Sequence, residues 1–499
     1  MIKRSKTFKG GYIFQRYLSN PLDTLLEQGI PEKVIIPLAQ GFGSEVKLLV
    51  KKGDKVSAGQ IIGRDDENVS SPVHSSVFGT VEEIKRMNYF KRELEMVVIR
   101  ADKTQKDYLR VEGFNPDWAK LRQEELEKIL YLSGVTALDR EGIPTRFKSS
   151  VIPPSGVENI IVHGVGSEPY NISLELLLNG KKILNLIDGL RILNTIMPGA
   201  NMYLALNSRK QKLLEEINKI AVKYKWLKVV PLEPKYPQGY DEMLIPTLLN
   251  QRFPYGYSAA NIGVVVLNIQ AVLSVYEAVC EGKPLIERII ALCGPGLKEP
   301  LHVKARIGTP LGEIITPRLN EKLKSRIVLN SLMTGVKLND LTLPISRTFS
   351  HLIAIPEGDK REFLAFMRPG LRQQSYSHTF ASSLLPFFNK TADTNLHGEE
   401  RPCISCSYCE EVCPVGIIPH LLSKYIKRNM IDETLMNYNI FNCIECGLCT
   451  FVCPSKIPLL QHLKEGKDKL TMQGCDHAQC ILPYFDMKGI EEYRGVTKL

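Results

Sequence analysis

Eight cysteines near the end of the chain fall into two runs of identical spacing, Cys403-x2-Cys406-x2-Cys409-x3-Cys413-Pro414 and Cys443-x2-Cys446-x2-Cys449-x3-Cys453-Pro454. Thiolate is soft and anionic, and it shares charge with iron as a cluster cycles by one electron. Two intervening residues let three successive sulfurs turn inward around one cubane, while the fourth, carried onto a helix, reaches across to a second one. The spacing therefore predicts two [4Fe-4S] clusters with crossed ligands: Cys403, Cys406, Cys409 and Cys453 for cluster 1, and Cys443, Cys446, Cys449 and Cys413 for cluster 2. A zinc ribbon takes two CxxC pairs and has no use for the third cysteine or the Cys-Pro ending. The small or apolar neighbours Ile404, Ser405, Ile444, Gly447 and Leu448 suit a tight loop whose amides point at sulfur, and such contacts tune potential.

Of the 12 cysteines, ten lie after residue 400, which points to metal in a reducing compartment rather than to disulfides. Cys475 and Cys480, with His477 between them, read as plain thiols of a tail. Cys280 and Cys293 are isolated and read as core residues. Between Cys413 and Cys443 lie 29 residues. Their apolar positions Leu421, Leu422, Tyr425 and Ile426, then Leu435 and Tyr438, have helical spacing, so the cluster region is expected to be an α-helical dicluster fold.

With 499 residues the chain is long enough for three or four cores of roughly 150 residues each. Lys plus Arg exceed Asp plus Glu by 64 − 54 = 10, a mildly cationic balance that favours acidic partners or an anionic membrane surface. The basic residues are scattered, and no basic stripe interleaved with aromatics marks a nucleic-acid interface. The most apolar stretch, Ile262 to Val279, contains Asn268, Gln270, Ser274 and Glu277, which are costly in hydrocarbon; it reads as a buried strand and helix. The charged start Met1 to Lys6 has no apolar run behind it and does not read as a signal peptide. Membrane contact is expected only through partner subunits.

From Pro31 to Ala101 short strands alternate with glycine turns. Val50-Lys51-Lys52-Gly53-Asp54-Lys55-Val56, then Gly59-Gln60, then Ser71 to Val81, resemble the two halves of a biotinyl or lipoyl barrel-sandwich. No Met-Lys or Asp-Lys hairpin joins them, so no carrier lysine is expected, and His74 reads as a packed histidine. Helices and strands alternate from Glu124 to Glu233, the pattern of an α/β layer. Its glycine-bearing segments, Ser133 to Thr145 and His163 to Tyr170, lie where such layers cradle phosphate, though neither is a full G-x-G-x-x-G. A β-rich module is expected from Asn261 to Ile315, and Ser375 to Glu400 reads as a linker.

Taken together, these pieces resemble the C subunit of the Rnf ferredoxin:NAD oxidoreductase complex and its relative, the A subunit of the Na+-translocating NADH:quinone reductase. The resemblance rests on Phe8-Lys9-Gly10-Gly11, Pro31 to Val34, Val50 to Val81, Lys235-Tyr236-Pro237-Gln238-Gly239, Arg306 to Pro310 and both cysteine runs. Pro356 to Leu364 resembles the quinone-reductase subunit, giving a body of that type with an Rnf-type dicluster region. The fold implied is multidomain α/β. It comprises an N-terminal arm (1–30), a barrel-sandwich hybrid (31–105), a complex I flavoprotein-like α/β domain (120–255) and a soluble-ligand-binding β-grasp (SLBB) domain (256–340). A connecting segment (341–398), an α-helical dicluster domain (399–465) and a tail (466–499) complete it.

The family's flavin loop, G-I-V-G-L-G-G-A-G-F-P-T, reads here Gly134 to Thr145, with Ala137, Asp139 and Arg140 in place of three glycines. Asp139 and Glu141 would repel a flavin phosphate, and Arg140 partly compensates. The companion motif G-A-E-x-E-P-Y keeps Gly164, Glu168, Pro169 and Tyr170 and has Gly166 for its inner acid. The resemblance thus implies a degenerate FMN and NADH site at Gly134, Arg140, Gly142, Thr145, Gly164, Glu168 and Tyr170. The expected role is a peripheral subunit on the cytoplasmic side of the membrane. It passes electrons through the two clusters between NADH, flavin or ferredoxin and the membrane subunits of an Rnf/Nqr-type complex. The alternatives are the NADH-oxidising FMN subunit itself, or a largely structural, quinone-binding subunit.

Overall fold

The computed structural model describes residues 5–14, 17–41, 43–65, 70–90, 92–105, 107–136, 157–251, 259–358, 376, 389–394, 396 and 399–475. Strand β1 (Leu25–Glu27) precedes two facing sheets. One is antiparallel, in the order β2 (Lys33–Pro37), β8 (Arg92–Ala101), β7 (Gly79–Tyr89), β4 (Lys55–Val56); the other runs β3 (Lys47–Leu48), β5 (Ile61–Arg64), β6 (Val73–His74). Alternate residues of a strand face one side. Val34 and Ile36 therefore join Ile62, Val97 and Ile99 in one apolar core between the sheets. Gly59 turns the chain at φ +86°, where a Cβ would lie 2.6 Å from the Leu109 carbonyl oxygen.

A parallel sheet follows in the order β11 (Leu227–Leu232), β10 (Asn201–Asn207), β9 (Asn159–Gly164), β12 (Val264–Asn268). Parallel strands are buried on both faces and read as near-continuous apolar runs. Ile160, Val162, Leu204 and Leu267 pack on the helices Gln123–Leu132, Lys182–Ile196, Gln211–Ala221 and Ile269–Cys280, while Ile161, Ala205 and Val266 pack on Asp241–Leu249. The strand and helix expected between Ile262 and Val279 are present, but they belong to this layer, because β12 pairs with β9. The 255/256 division therefore falls inside the α/β layer. An apolar run such as Val264-Val265-Val266-Leu267 carries no sign of which sheet will bury it.

The third sheet has six strands, β1, β14 (Leu301–Arg306), β13 (Glu287–Cys293), β17 (His351–Pro356), β15 (Ser325–Leu329) and β16 (Val336–Leu338). Both flanks expected to be connecting chain supply strands to it. β1 comes from the segment read as an arm, and β17, wholly apolar from Leu352 to Ile355, comes from the segment read as a linker. Cys293 is fully buried there, and Cys280 is partly buried against the α/β core.

The third cysteine of each run, Cys409 or Cys449, lies on a helix, whereas Cys413 and Cys453, the fourth cysteines expected there, come just after it, since Pro414 and Pro454 disfavour helical geometry in the residue before them. Tyr408–Glu411 and Leu448–Val452 carry the middle of each run, and Pro419–Lys427, Glu433–Asn437 and Leu459–Met472 pack around them. Leu422, Ile426, Leu463 and Leu470 form their shared core, and Gly466 lets two helices approach so closely that a Cβ would sit 2.7 Å from Ile426.

Candidate iron–sulfur centres and the adjoining crevice

The two runs are halves of one repeat, offset by 443 − 403 = 40 residues. Backbone conformation follows the same offset: Ser405 and Glu445, Ser407 and Gly447, and Gly416 and Lys456 all have positive φ. Left-handed residues inside each Cys-x2-Cys-x2-Cys loop reverse the chain, so that amides face inward. The Ser405 amide donates to the Cys403 sulfur at 3.4 Å. The amides of Val415, Gly416 and Ile417 face the Cys413 sulfur, that of Glu445 faces Cys443, and that of Leu448 faces Cys446.

Crossed grouping is visible in the placement of the sulfurs. Cys403, Cys406, Cys409 and Cys453 line one cavity of about 310 Å³. Cys446 and Cys449 have Cys443 and Cys413 as electrostatic neighbours, and Cys409 lies near Cys449 across the repeat. Every described cysteine is free. Burial pushes the Cys409 thiol up to about 11 and Cys446 up to about 12, and it raises Cys413, Cys443 and Cys449 as well. Such thiols give up protons only when a metal takes their place. Among the described residues no three donors converge as tightly as one ion requires. Four sulfurs around a roomy cavity fit a multinuclear cluster better than a mononuclear ion, whose thiolates stand about 2.3 Å from the metal.

The two groups have different surroundings. Around the first, Arg401, His420, Lys424 and Lys427 line the cavity, Ile404 is 67% exposed, and His420 Nδ1 lies 3.6 Å from the Cys409 sulfur. Around the second, Lys467, nearly buried, donates to the Cys443 carbonyl at 2.6 Å and to Glu445 at 3.1 Å. The fully buried Tyr236 donates its hydroxyl proton to the Cys446 carbonyl at 2.7 Å. Spacing rules gave no hint of either residue. The only signal for Tyr236 was its place in Lys235 to Gly239.

Four of the seven candidate flavin residues lie among the described residues; Arg140, Gly142 and Thr145 fall outside them. Gly134, at φ +68°, packs against Pro72, His74 and Arg347, where a Cβ would lie 2.8 Å from the Pro72 carbonyl oxygen. Gly164 is enclosed by Leu174, Ile269 and Leu206, so its lack of a side chain serves packing. Glu168 accepts from the Ser331 hydroxyl at 2.9 Å. Tyr170 turns into the interior and donates to the Leu18 carbonyl at 3.2 Å. In an open parallel sheet, ligands bind beyond the carboxyl ends of the strands where the strand order reverses. Here that point lies between β9 and β12, and the loop Val165 to Tyr170 leaves it. A Cβ on Gly239 would meet His163 at 3.8 Å and the Ser167 hydroxyl at 3.9 Å, so these residues border the crevice. His74 is buried as expected, with Nε2 2.8 Å from the Leu132 carbonyl oxygen. Cys475 packs beside the helical core, while His477 and Cys480 lie outside the described residues.

The comparisons follow this layout. Residues 6–104 match the RnfC barrel sandwich hybrid domain, residues 131–277 the Nuo51 FMN-binding domain, and residues 402–457 the 4Fe-4S dicluster domain. The second match, like the pairing of β12, runs past residue 255. The chain is therefore an iron–sulfur protein that joins a barrel-sandwich hybrid, an FMN-binding-type α/β domain and a dicluster domain. Its resemblance to the Rnf C subunit extends over most of its length. It is 28% identical over 447 residues, covering 88% of this chain and 85% of the relative, to the C subunit of the ion-translocating oxidoreductase complex of Buchnera aphidicola. It is 28% identical over 480 residues, covering 94% and 95%, to the C subunit of the proton-translocating ferredoxin:NAD(+) oxidoreductase complex of Clostridium ljungdahlii. It is 29% identical over 448 residues to the C subunit of the ion-translocating oxidoreductase complex of Pseudomonas aeruginosa, covering 89% of this chain and 53% of that protein. Among the described residues no helix is long and apolar enough to cross a membrane.

Proposed function

We propose that this chain is the electron-transfer subunit of a membrane-associated, ion-translocating Rnf-type complex. It relays electrons through two [4Fe-4S] clusters between NADH and flavin, or ferredoxin, and the membrane subunits. The observation that carries this reading is the crosswise grouping of eight free cysteines into two sets of four. Cys403, Cys406, Cys409 and Cys453 would hold one cluster, and Cys443, Cys446, Cys449 and Cys413 the other. Each cluster, when bound, accepts and donates one electron at a time. The chain's own groups fix the sulfurs and point amides at them.

In this reading the chain sits on the cytoplasmic face and reaches the membrane only through partner subunits. The six-stranded sheet serves as the SLBB β-grasp module, and the cysteine helices form the α-helical type of dicluster fold. A second reading makes this chain the NADH-oxidising subunit, with FMN beside Gly164 to Tyr170 turning a two-electron donor into a one-electron one. The match to the Nuo51 FMN-binding domain favours it. The side chains at Ala137, Asp139 and Arg140 weigh against it.

Anaerobically purified protein is expected to hold about eight irons per chain and to give a cubane EPR signal after dithionite. Far less iron, or no such signal, overturns the relay. Flavin extraction and NADH reduction of the same sample separate the two readings.

A further inference from the structure

The two cysteine sets face different neighbours, and the difference sets an order. The second set lies against the crevice at the carboxyl ends of the parallel strands. The loop after β11 brings Tyr236 to the Cys446 carbonyl. The loop after β9 reaches the same place through packed rings: Tyr170 to Tyr17 at 5.9 Å, Tyr17 to Phe14 at 6.1 Å and Phe14 to Tyr236 at 5.7 Å between centroids. A third connection runs through the loop after β15. Ser331 binds Glu168 at 2.9 Å and accepts from the Met333 amide at 3.1 Å, and the Met333 carbonyl oxygen would lie 3.2 Å from a Cβ on Gly447. The hydrogen bond of Tyr236 to a ligand carbonyl marks the second set, whereas rings lead toward the first set: Phe14 to Tyr12 at 5.1 Å, Tyr12 to Tyr376 at 5.9 Å and Tyr376 to Tyr408, next to Cys409, at 5.1 Å. The first set faces its own cavity, bordered by Arg401, Lys424, Lys427 and the exposed Ile404.

Resting on the relay reading, we propose that the centre held by Cys413, Cys443, Cys446 and Cys449 is the inner one, exchanging electrons with the crevice between β9 and β12. The centre held by Cys403, Cys406, Cys409 and Cys453 is the outer one, exchanging them with a partner protein. Transfer between them moves one electron at a time with no bond made or broken; as the inner centre is oxidised, the outer is reduced. Tyr236 and Lys467 are positioning residues of the inner centre alone. Each donates a hydrogen bond to a ligand carbonyl, and Lys467 adds a positive charge, so both favour the reduced, more negative state. The cationic rim of the outer cavity suits an acidic partner surface.

The test uses the full-length chain, reduced with dithionite, and needs no turnover. Cys406→Ser removes the outer centre and Cys446→Ser the inner. A dysprosium chelate, which speeds electron-spin relaxation only of centres it can approach from water, is added to each. The expected result is faster relaxation of the centre left in Cys446→Ser and little change in the centre left in Cys406→Ser. Tyr236→Phe and Lys467→Met are expected to lower the midpoint potential of the centre left in Cys406→Ser and to leave the other where it was. Equal or inverted chelate sensitivity overturns the order, as does a Tyr236→Phe shift confined to the centre left in Cys446→Ser. Should Cys446→Ser fail to fold, Tyr236→Phe in the otherwise unaltered chain must move one of two titration waves. That wave must belong to the chelate-insensitive signal, or the proposal fails. Absence of any cluster signal from the unaltered chain defeats the relay itself, a result distinct from a wrong order.

Discussion

A side chain on Gly10 would place its first carbon 2.6 Å from the carbonyl oxygen of Cys413. The neighbouring Gly11 amide donates to Val412 at 2.8 Å, and Tyr12 and Tyr236 pair through both backbone amides at 3.0 and 2.8 Å. Gly10 to Tyr12 thus thread between the α/β layer and the cysteine helices and clasp one to the other. Gly10 holds φ +74°, a conformation that costs an L residue about 1–2 kcal/mol, and the backbone contact adds to it. Gly180, at φ +58° with nothing within 4 Å, isolates the conformational part. Gly10→Ala is expected to lower the melting temperature more than Gly180→Ala and to speed iron loss to a chelator. Equal effects would mean that the arm is no clasp.

The grouping of the cysteines was legible because ligand spacing is local, although the third sulfur of each run rather than the fourth came to lie on a helix. The barrel-sandwich was legible for a similar reason, since Gly53 and Gly59 mark its turns and Val34 and Ile36 its inward face. What surrounds the clusters was not. Tyr236 meets Cys446 across 210 residues of chain, and Ser331 meets Glu168 across 163. No periodicity encodes such contacts. The sheet allegiance of β12 escaped because burial on both faces erases the alternation that would have told one sheet from another. Gly164 and Tyr170 fitted a ligand motif, yet the structure gives both of them packing partners.

Two buried histidines should make the fold acid-sensitive. Burial holds His74 down to about 3, with the Arg347 charge beside it acting in the same direction. Burial, then His302 and Arg288, hold His351 down to about 4. In the unfolded chain each titrates near 6.5, so below that pH the unfolded state binds protons that the folded state refuses. Stability is therefore full above about 6.5 and falls as pH drops toward 4, by roughly 2 kcal/mol for each histidine at pH 5. Urea unfolding of wild type and His74→Gln at pH 7 and pH 5 checks the sign. The variant should lose less between the two; an identical loss would show that His74 does not contribute.

Within the α/β layer the helices Lys182–Ile196 and Ile269–Cys280 touch at Gly189, where a Cβ would lie 2.6 Å from the Val272 carbonyl oxygen. A larger residue must push the helices apart, and overpacking of this kind costs about 1–3 kcal/mol. Gly189→Val should therefore lower the unfolding midpoint while leaving the iron content near its original value, because the strain lies far from the cysteines. Iron lost in proportion to stability would show instead that the layer and the cluster region unfold as one unit.

The flavin question turns on charge. Asp139 and Glu141 put two carboxylates in a loop that, in the resembling family, approaches a phosphate through backbone alone. Asp139→Gly removes one like charge and restores one glycine of the pattern. If the crevice by Gly239 holds FMN at all, its affinity should rise about tenfold, the equivalent of roughly 1.4 kcal/mol. Quenching of flavin fluorescence on titration with apoprotein measures it directly. An unchanged or weaker affinity would mean that repulsion at this loop is not what limits binding. If neither form binds FMN, this chain is left as a relay whose flavin lies on another subunit.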